Sequence, residues 1–392
     1  MKKINFKKPS TIIGLLIGFF LISIVASIML NKVYKVKYDS LDQTDKEMLT
    51  ELSLICKNFN HNSDKLWDKN YKLSEKPIIV VRCNKSNGII RKQAYAINVK
   101  ALENSIFSKK IDIPASMELS SVYRISKFDL STISAWMPVN FDTIKIAEED
   151  VFYFKYYPKM MENPDLYYDF SSFLLHESFH KYKQKDWTYD KNQGEYVKDY
   201  PVNKENYALM GLGFKLLDKC MESNDINQVK NNLREWTIVQ TYRYNKWPEL
   251  QKETNTEAIE GTARYLEYKY SILTGKHLTV LAKKEEPYHV TFIQAFQYIA
   301  NKQAESRSYL ERPMKYETGA ALGLIMDKLN MKWKTEMEDN KNHKGKTQYE
   351  ILKEYFNISD SDITEEKLME IKNINDYSTL LKDGEKIVNL PK

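Results

Sequence analysis

The pattern of apolar residues predicts an α+β fold in which a sheet-bearing N-terminal part is followed by a helical bundle. Three observations carry this reading. Short β-rich runs are concentrated between about residues 76 and 157, helical periodicity dominates from 164 onward, and one uninterrupted apolar stretch near the N-terminus stands apart from both. With 392 residues, 42% of them hydrophobic, the chain can bury a sizeable core and form two or three structural units. The expected divisions are residues 1–38, a tail and anchor; 39–160, the sheet-bearing part; 161–280, a helical core; and 281–392, a C-terminal helical part.

The apolar stretch runs from Thr11 to Leu30, twenty residues without a charge, enough as a helix to cross a bilayer's hydrocarbon core. Lys2, Lys3, Lys7 and Lys8 precede it, and Lys32, Lys35 and Lys37 follow it. With the amino terminus added, the bias favours the N-terminus inside and residues 39–392 outside. A cleaved signal peptide ends a shorter apolar region in small residues. Here Ala26-Ser27 runs into Ile28-Met29-Leu30, so an uncleaved membrane anchor is expected.

Seven of the 59 basic residues lie in the first 38 positions, which hold no acid, leaving 52 basic against 53 acidic residues in the remainder. A nucleic-acid binder concentrates positive charge on its folded domain, and this chain does not. The three cysteines, Cys56, Cys83 and Cys220, are too few for a disulfide framework or a cysteine metal site. In an exported domain Cys56 and Cys83 could pair; the equal alternative is three small core residues.

Residues 41–75 read as polar helix and turn material. Strands are expected at 76–81 and 88–97, around a turn from Asn84 to Gly88, and at 151–154. Helices are expected at about 164–184, 204–222, 224–244, 249–274, 290–304, 316–331, 347–357 and 364–374. The first of these begins with Asn163 as cap and Pro164 at the first helical position.

That helix carries His176-Glu177-Ser178-Phe179-His180. Residues four apart project from one helical face, so His176 and His180 can offer ring nitrogens to one ion. Glu177 then lies beside the metal rather than on it, placed to act as general base on a water molecule. Phe173, Leu174, Leu175 and Phe179 give the helix an apolar face to bury. Lys181 is unusual, because zinc peptidases usually keep an uncharged residue after the second histidine.

Two histidines need a third ligand, and Glu260-Gly261-Thr262-Ala263-Arg264-Tyr265 offers one. Here the chain resembles the gluzincin metallopeptidases, especially the aminopeptidase N-like branch, in which a Glu-Gly-x-Ala-x-Tyr segment supplies a glutamate ligand. The resemblance implies a zincin-like domain holding one zinc ion through His176, His180 and Glu260. Glu257 competes, since Glu257-Ala258-Ile259 resembles the ligand segment of thermolysin-like enzymes, although Gly261 stands where their aspartate would be. Both glutamates project from one helical face, and spacing does not separate them. A plainer reading makes Glu253, Glu257, Glu260, Arg264 and Glu267 an exposed ion-paired stripe.

The resemblance extends to Tyr316-Glu317-Thr318-Gly319, similar to a Tyr-x-x-Gly segment whose tyrosine steadies the oxyanion on the attacked carbonyl. Met161-Glu162-Asn163 is similar to the amine-binding Gly-x-Met-Glu-Asn strand of that branch, but Met160 precedes it and the expected glycine is missing, which leaves exopeptidase and endopeptidase both open. His277 and His289 are set aside as surface or core histidines. The expectation is a membrane-anchored, extracytoplasmic zinc metallopeptidase acting on peptide or protein substrates. The competing expectation is a zincin-fold surface binding module without catalytic activity, whose sign would be a broken ligand set or a lost base.

Overall fold

The computed structural model describes residues 9–33, 36–127, 129–189, 197–338 and 342–392. The chain folds as two compact units, Met1–Ser178 and Phe179–Lys392. All seven described strands belong to the first unit, and the described residues of the second are mainly helical, with an isolated bridge between Ala282 and His289.

Helix α1 (Pro9–Val33) contains a 22-residue stretch, Pro9–Leu30, long and apolar enough to cross a membrane. Most of its large side chains are exposed, as a lipid-facing helix requires. The preceding lysines, Lys2, Lys3, Lys7 and Lys8, and Lys35 lie outside the described residues.

The strands are β1 (Val36–Lys37), β2 (Ile78–Cys83), β3 (Arg91–Ile97), β4 (Ser108–Asp112), β5 (Val122–Ile125), β6 (Phe141–Ile146) and β7 (Glu149–Tyr156), in the order β1-β4-β5-β3-β2-β7-β6. Only the β1–β4 and β2–β7 pairs are parallel. The central β2 is buried on both faces, which explains its unbroken Ile78-Ile79-Val80-Val81 run. Ile79, Val81, Ala94, Ala96, Val151 and Tyr153 form the core of one face. On the other lies helix α2 (Gln43–His61), whose buried Asp45 accepts hydrogen bonds from the Tyr95 and Tyr156 hydroxyls, each at 2.6 Å. Burial pushes the Asp45 carboxyl above its ordinary range, against the pull of the two tyrosines and Arg82. Strands β4, β5 and β6 were not expected; they are short and largely polar, and β6 closes an edge with only Ile144 and Ile146 turned inward. Cys56, Cys83 and Cys220 are separate buried thiols, so no Cys56–Cys83 bond forms.

After α3 (Ser63–Leu66) and the sheet come α4 (Pro158–Glu162), which was not expected, and α5 (Phe170–Tyr182), which takes the place of the longer helix expected at about 164–184. Pro158, not Pro164, takes a first-turn position, and Asn163 ends α4 at φ −150°, ψ 72° instead of capping a new helix. Tyr167 then adopts φ 68°, which no right-handed helix tolerates. Helix α5 starts where Asp169 accepts the Ser172 N–H at 3.1 Å, just before the apolar face begins. Phe170 and Phe173 pack edge-on against Phe154 of β7, with ring centroids 5.8 and 5.3 Å apart.

The second unit contains α6 (Lys204–Glu222), α7 (Ile226–Lys246), α8 (Glu253–Thr256), a π turn (Glu257–Gly261), α9 (Thr262–Thr274), α10 (Phe292–Ala300), α11 (Ser308–Glu311), α12 (Pro313–Lys328), α13 (Trp333–Met337), α14 (Gln348–Tyr355), α15 (Glu365–Ile374) and α16 (Tyr377–Val388). The unexpected α16 has Gly384 against Lys204 of α6, where a Cβ would collide with the Lys204 carbonyl. The segment expected as one helix at 249–274 is composite, a 3-10 turn (Pro248–Lys252) leading through α8 and the π turn into α9.

Candidate metal centre

Helix α5 is apolar where it faces the core, with Leu174, Leu175 and Phe179 fully buried. That fixes the helix's rotation and turns His176 and His180, one turn apart, to a common side. Glu260 is delivered by the π turn. A π turn inside a helix widens the local repeat and shifts the phase of the residues beyond it, a device frequent at functional sites. Ligand atoms of His176, His180 and Glu260 all lie within 4.8 Å of one another, so the group could hold a metal ion. His180 Nε2 is 3.2 Å from Glu260 Oε2. His176 is 8% exposed, and the side chains of His180 and Glu260 are 25% and 20% exposed, so the group is partly open to solvent.

Gln184, which the sequence pattern does not single out, sets the chemistry of His180. Its side-chain nitrogen donates to the Ile259 carbonyl and to Thr262 Oγ1, both at 2.8 Å. A carbonyl can only accept, so this end of the amide is the NH₂ end. The amide oxygen therefore faces His180 Nδ1, at 2.6 Å, and must receive a proton from it. His180 is thereby held as the Nδ1–H tautomer, with the Nε2 lone pair left toward Glu260 and His176, as a metal-ligating imidazole needs.

Glu257 is placed elsewhere. Only 3% exposed, it accepts a hydrogen bond from Thr318 Oγ1 at 2.7 Å, and burial raises its carboxyl pKa against the attraction of Lys315. Glu253 is buried too, paired with Arg243 at 2.6 Å and Lys315 at 2.9 Å. Burial would raise its pKa, but these two cations outweigh it and bring the carboxyl down to about 2. Glu267 is also buried and bonds Arg264 at 2.7 Å. The charged residues expected as an exposed stripe are thus mostly a buried, paired network, and Glu260 is the member turned to the histidines.

Tyr316 and Arg312 complete the surroundings of Glu260. Arg312 Nη2 is 3.3 Å from Glu260 Oε1, and its guanidinium is 5.1 Å from the Tyr316 ring centroid. The Tyr316 hydroxyl hydrogen-bonds Glu260; burial and the Glu260 charge raise its pKa, partly offset by Arg312, so it stays a neutral donor. Arg312 also went unnoticed in the sequence, although it precedes Tyr316 by one helical turn.

A glycine pair explains why the two motifs meet. A Cβ on Gly261 would lie 2.5 Å from Gly319 Cα, and one on Gly319 would collide with the Glu257 backbone. Backbones can approach this closely only without side chains, so Glu260-Gly261 and Tyr316-x-x-Gly319 are two halves of one crossing between the π turn and α12. The chain matches no family model, no curated protein and no solved structure.

Proposed function

We propose that this chain is a membrane-anchored zinc metallopeptidase of gluzincin type, with a zincin-like catalytic domain on the extracytoplasmic side. The observation that carries the reading is the convergence of two helix-borne imidazoles and the Glu260 carboxylate, reached from a separate segment. Two nitrogens and one carboxylate suit zinc, and three protein ligands leave a position for water. His180, preset by Gln184 as the Nδ1–H tautomer, turns its Nε2 lone pair toward Glu260, as such a site requires.

Zinc, when bound, acidifies water and polarises a carbonyl. Glu177, next to the first histidine, takes the proton from the attacking water and returns it to the leaving amine. Tyr316 donates its hydroxyl to the negative charge that develops on the carbonyl oxygen. Arg312 holds Tyr316 and Glu260 in register and adds positive charge on the same side. α1 anchors the enzyme, and its flanking lysines favour the orientation with the N-terminus inside.

The test is peptide hydrolysis by the full chain in detergent, compared with Glu177→Gln. Loss of a general base is expected to lower turnover by roughly 10²–10⁴-fold with bound zinc unchanged. Undiminished hydrolysis in the variant would remove Glu177 from the mechanism.

A further inference from the structure

We propose that the end of the sheet nearest α1 is a membrane-docking surface, which seats the first unit on the lipid leaflet beside its anchor. The inference rests on the reading of α1 as a membrane span. Helix α1 ends at Val33 and β1 begins at Val36. Because β1 runs parallel to β4, with Val36 opposite Ile111, the anchor reaches the sheet at the end where β4 starts. Strand register identifies the rest of that end. Ser108 opposes Ile125, Cys83 opposes Arg91, Arg82 opposes Tyr156, and Phe141 opposes Phe154. The β2–β3 connection (84–90) and the β5–β6 connection (126–140) therefore share the anchor's end of the sheet.

Polar groups, several of them buried, bind these connections to each other and to the anchor. Ser27 Oγ in α1 lies 2.6 Å from Ser126 Oγ. Arg91 donates to the Ile125 and Ser126 carbonyls at 3.1 and 3.0 Å and to Thr132 Oγ1. Lys155 Nζ, fully buried, donates to the Gly88 and Met137 carbonyls at 2.9 and 2.5 Å, and the Asn87 N–H donates to Asn140 Oδ1 at 2.6 Å.

On this polar frame stand six large apolar side chains, Ile89, Ile90, Ile133, Trp136, Met137 and Val139, between 39% and 61% exposed. Exposed apolar groups gathered in this way mark an interaction surface. The position of Ser27 identifies the occupant. It lies three residues before Leu30, where the apolar span ends, or about 4.5 Å along the helix axis at 1.5 Å per residue, so Ser126 is at headgroup depth. Tryptophan favours that depth, and aliphatic side chains beside it enter the upper acyl region. Lys85, Lys92 and Lys127, all exposed and adjacent in sequence to the patch, suit anionic headgroups.

The experiment places nitroxide labels on single cysteines in the full chain, reconstituted in phosphatidylcholine–phosphatidylglycerol vesicles. Leu21→Cys reports on α1, Ile89→Cys and Met137→Cys on the patch, and Met369→Cys, an exposed site on α15, is the water reference. Collision with oxygen against a water-soluble nickel chelate reads depth. The expected result is a shift toward oxygen at 21, 89 and 137 relative to 369. Patch labels as nickel-accessible as position 369, with position 21 in lipid, overturn the docking surface and leave the anchor standing. Patch labels shielded from both reagents indicate a protein partner and also overturn it. A nickel-accessible position 21 refutes the anchor itself, and the docking proposal falls with it.

Discussion

His180 is the residue on which the site's chemistry turns, because one ring nitrogen donates to Gln184 and the other is thereby set as a lone pair facing Glu260. Gln184 is fully buried, and its side-chain amide accepts from His180 and donates to Ile259 and Thr262. Gln184→Ala is expected to weaken zinc binding by roughly 10–100-fold, the usual cost of losing a group that orients a ligand histidine. Competition with a chromophoric chelator measures this, and an unchanged zinc affinity would show that His180 needs no such support. At this scale the pairing of His176 and His180 in one cluster was legible, since residues four apart on a helix share a face. The choice between Glu260 and Glu257 was not. It depends on a π turn whose existence no local residue preference announces, and on Lys315 and Thr318, which reach Glu257 from about sixty positions downstream. Gln184 was overlooked because it lies just past the end of α5, although its N–H still bonds back to Phe179 at 3.0 Å.

Elements meet at this site through missing side chains. The π turn and α12 cross at Gly261 and Gly319, and that crossing brings Tyr316 and Arg312 to Glu260. In Gly319→Ala the new methyl would meet Glu257 backbone atoms, which cannot rotate away as a side chain can. Overpacking of this kind costs about 1–3 kcal/mol, and separating the two segments also weakens the metal site. Denaturant unfolding and zinc titration of the variant check both effects; wild-type values in both would mean that the crossing is not constrained. The helices of this region were legible because apolar periodicity survives local irregularity. Their boundaries were less so. Asn163-Pro164 has the composition of a helix start, yet Asp169 wins because it alone precedes the apolar face of α5. Strands β4, β5 and β6 escaped notice for the opposite reason, being too short and polar to show a period.

For the whole molecule, a mixed fold with strands before residue 160 and mostly helices after it was visible in the residue pattern, and so was α1. The boundary between the units lies between Ser178 and Phe179. The central claim is that His176, His180 and Glu260 make a single metal centre in this chain. It is tested most directly by the zinc content of the purified full chain, measured by mass spectrometry after dialysis against buffer with trace zinc, alongside Glu260→Ala and Glu257→Ala. The account predicts about one zinc per chain in the wild type and in Glu257→Ala, as a three-ligand site requires, and a large loss in Glu260→Ala. A wild-type chain that emerges without zinc, or a Glu260→Ala chain that retains it in full, would contradict the account.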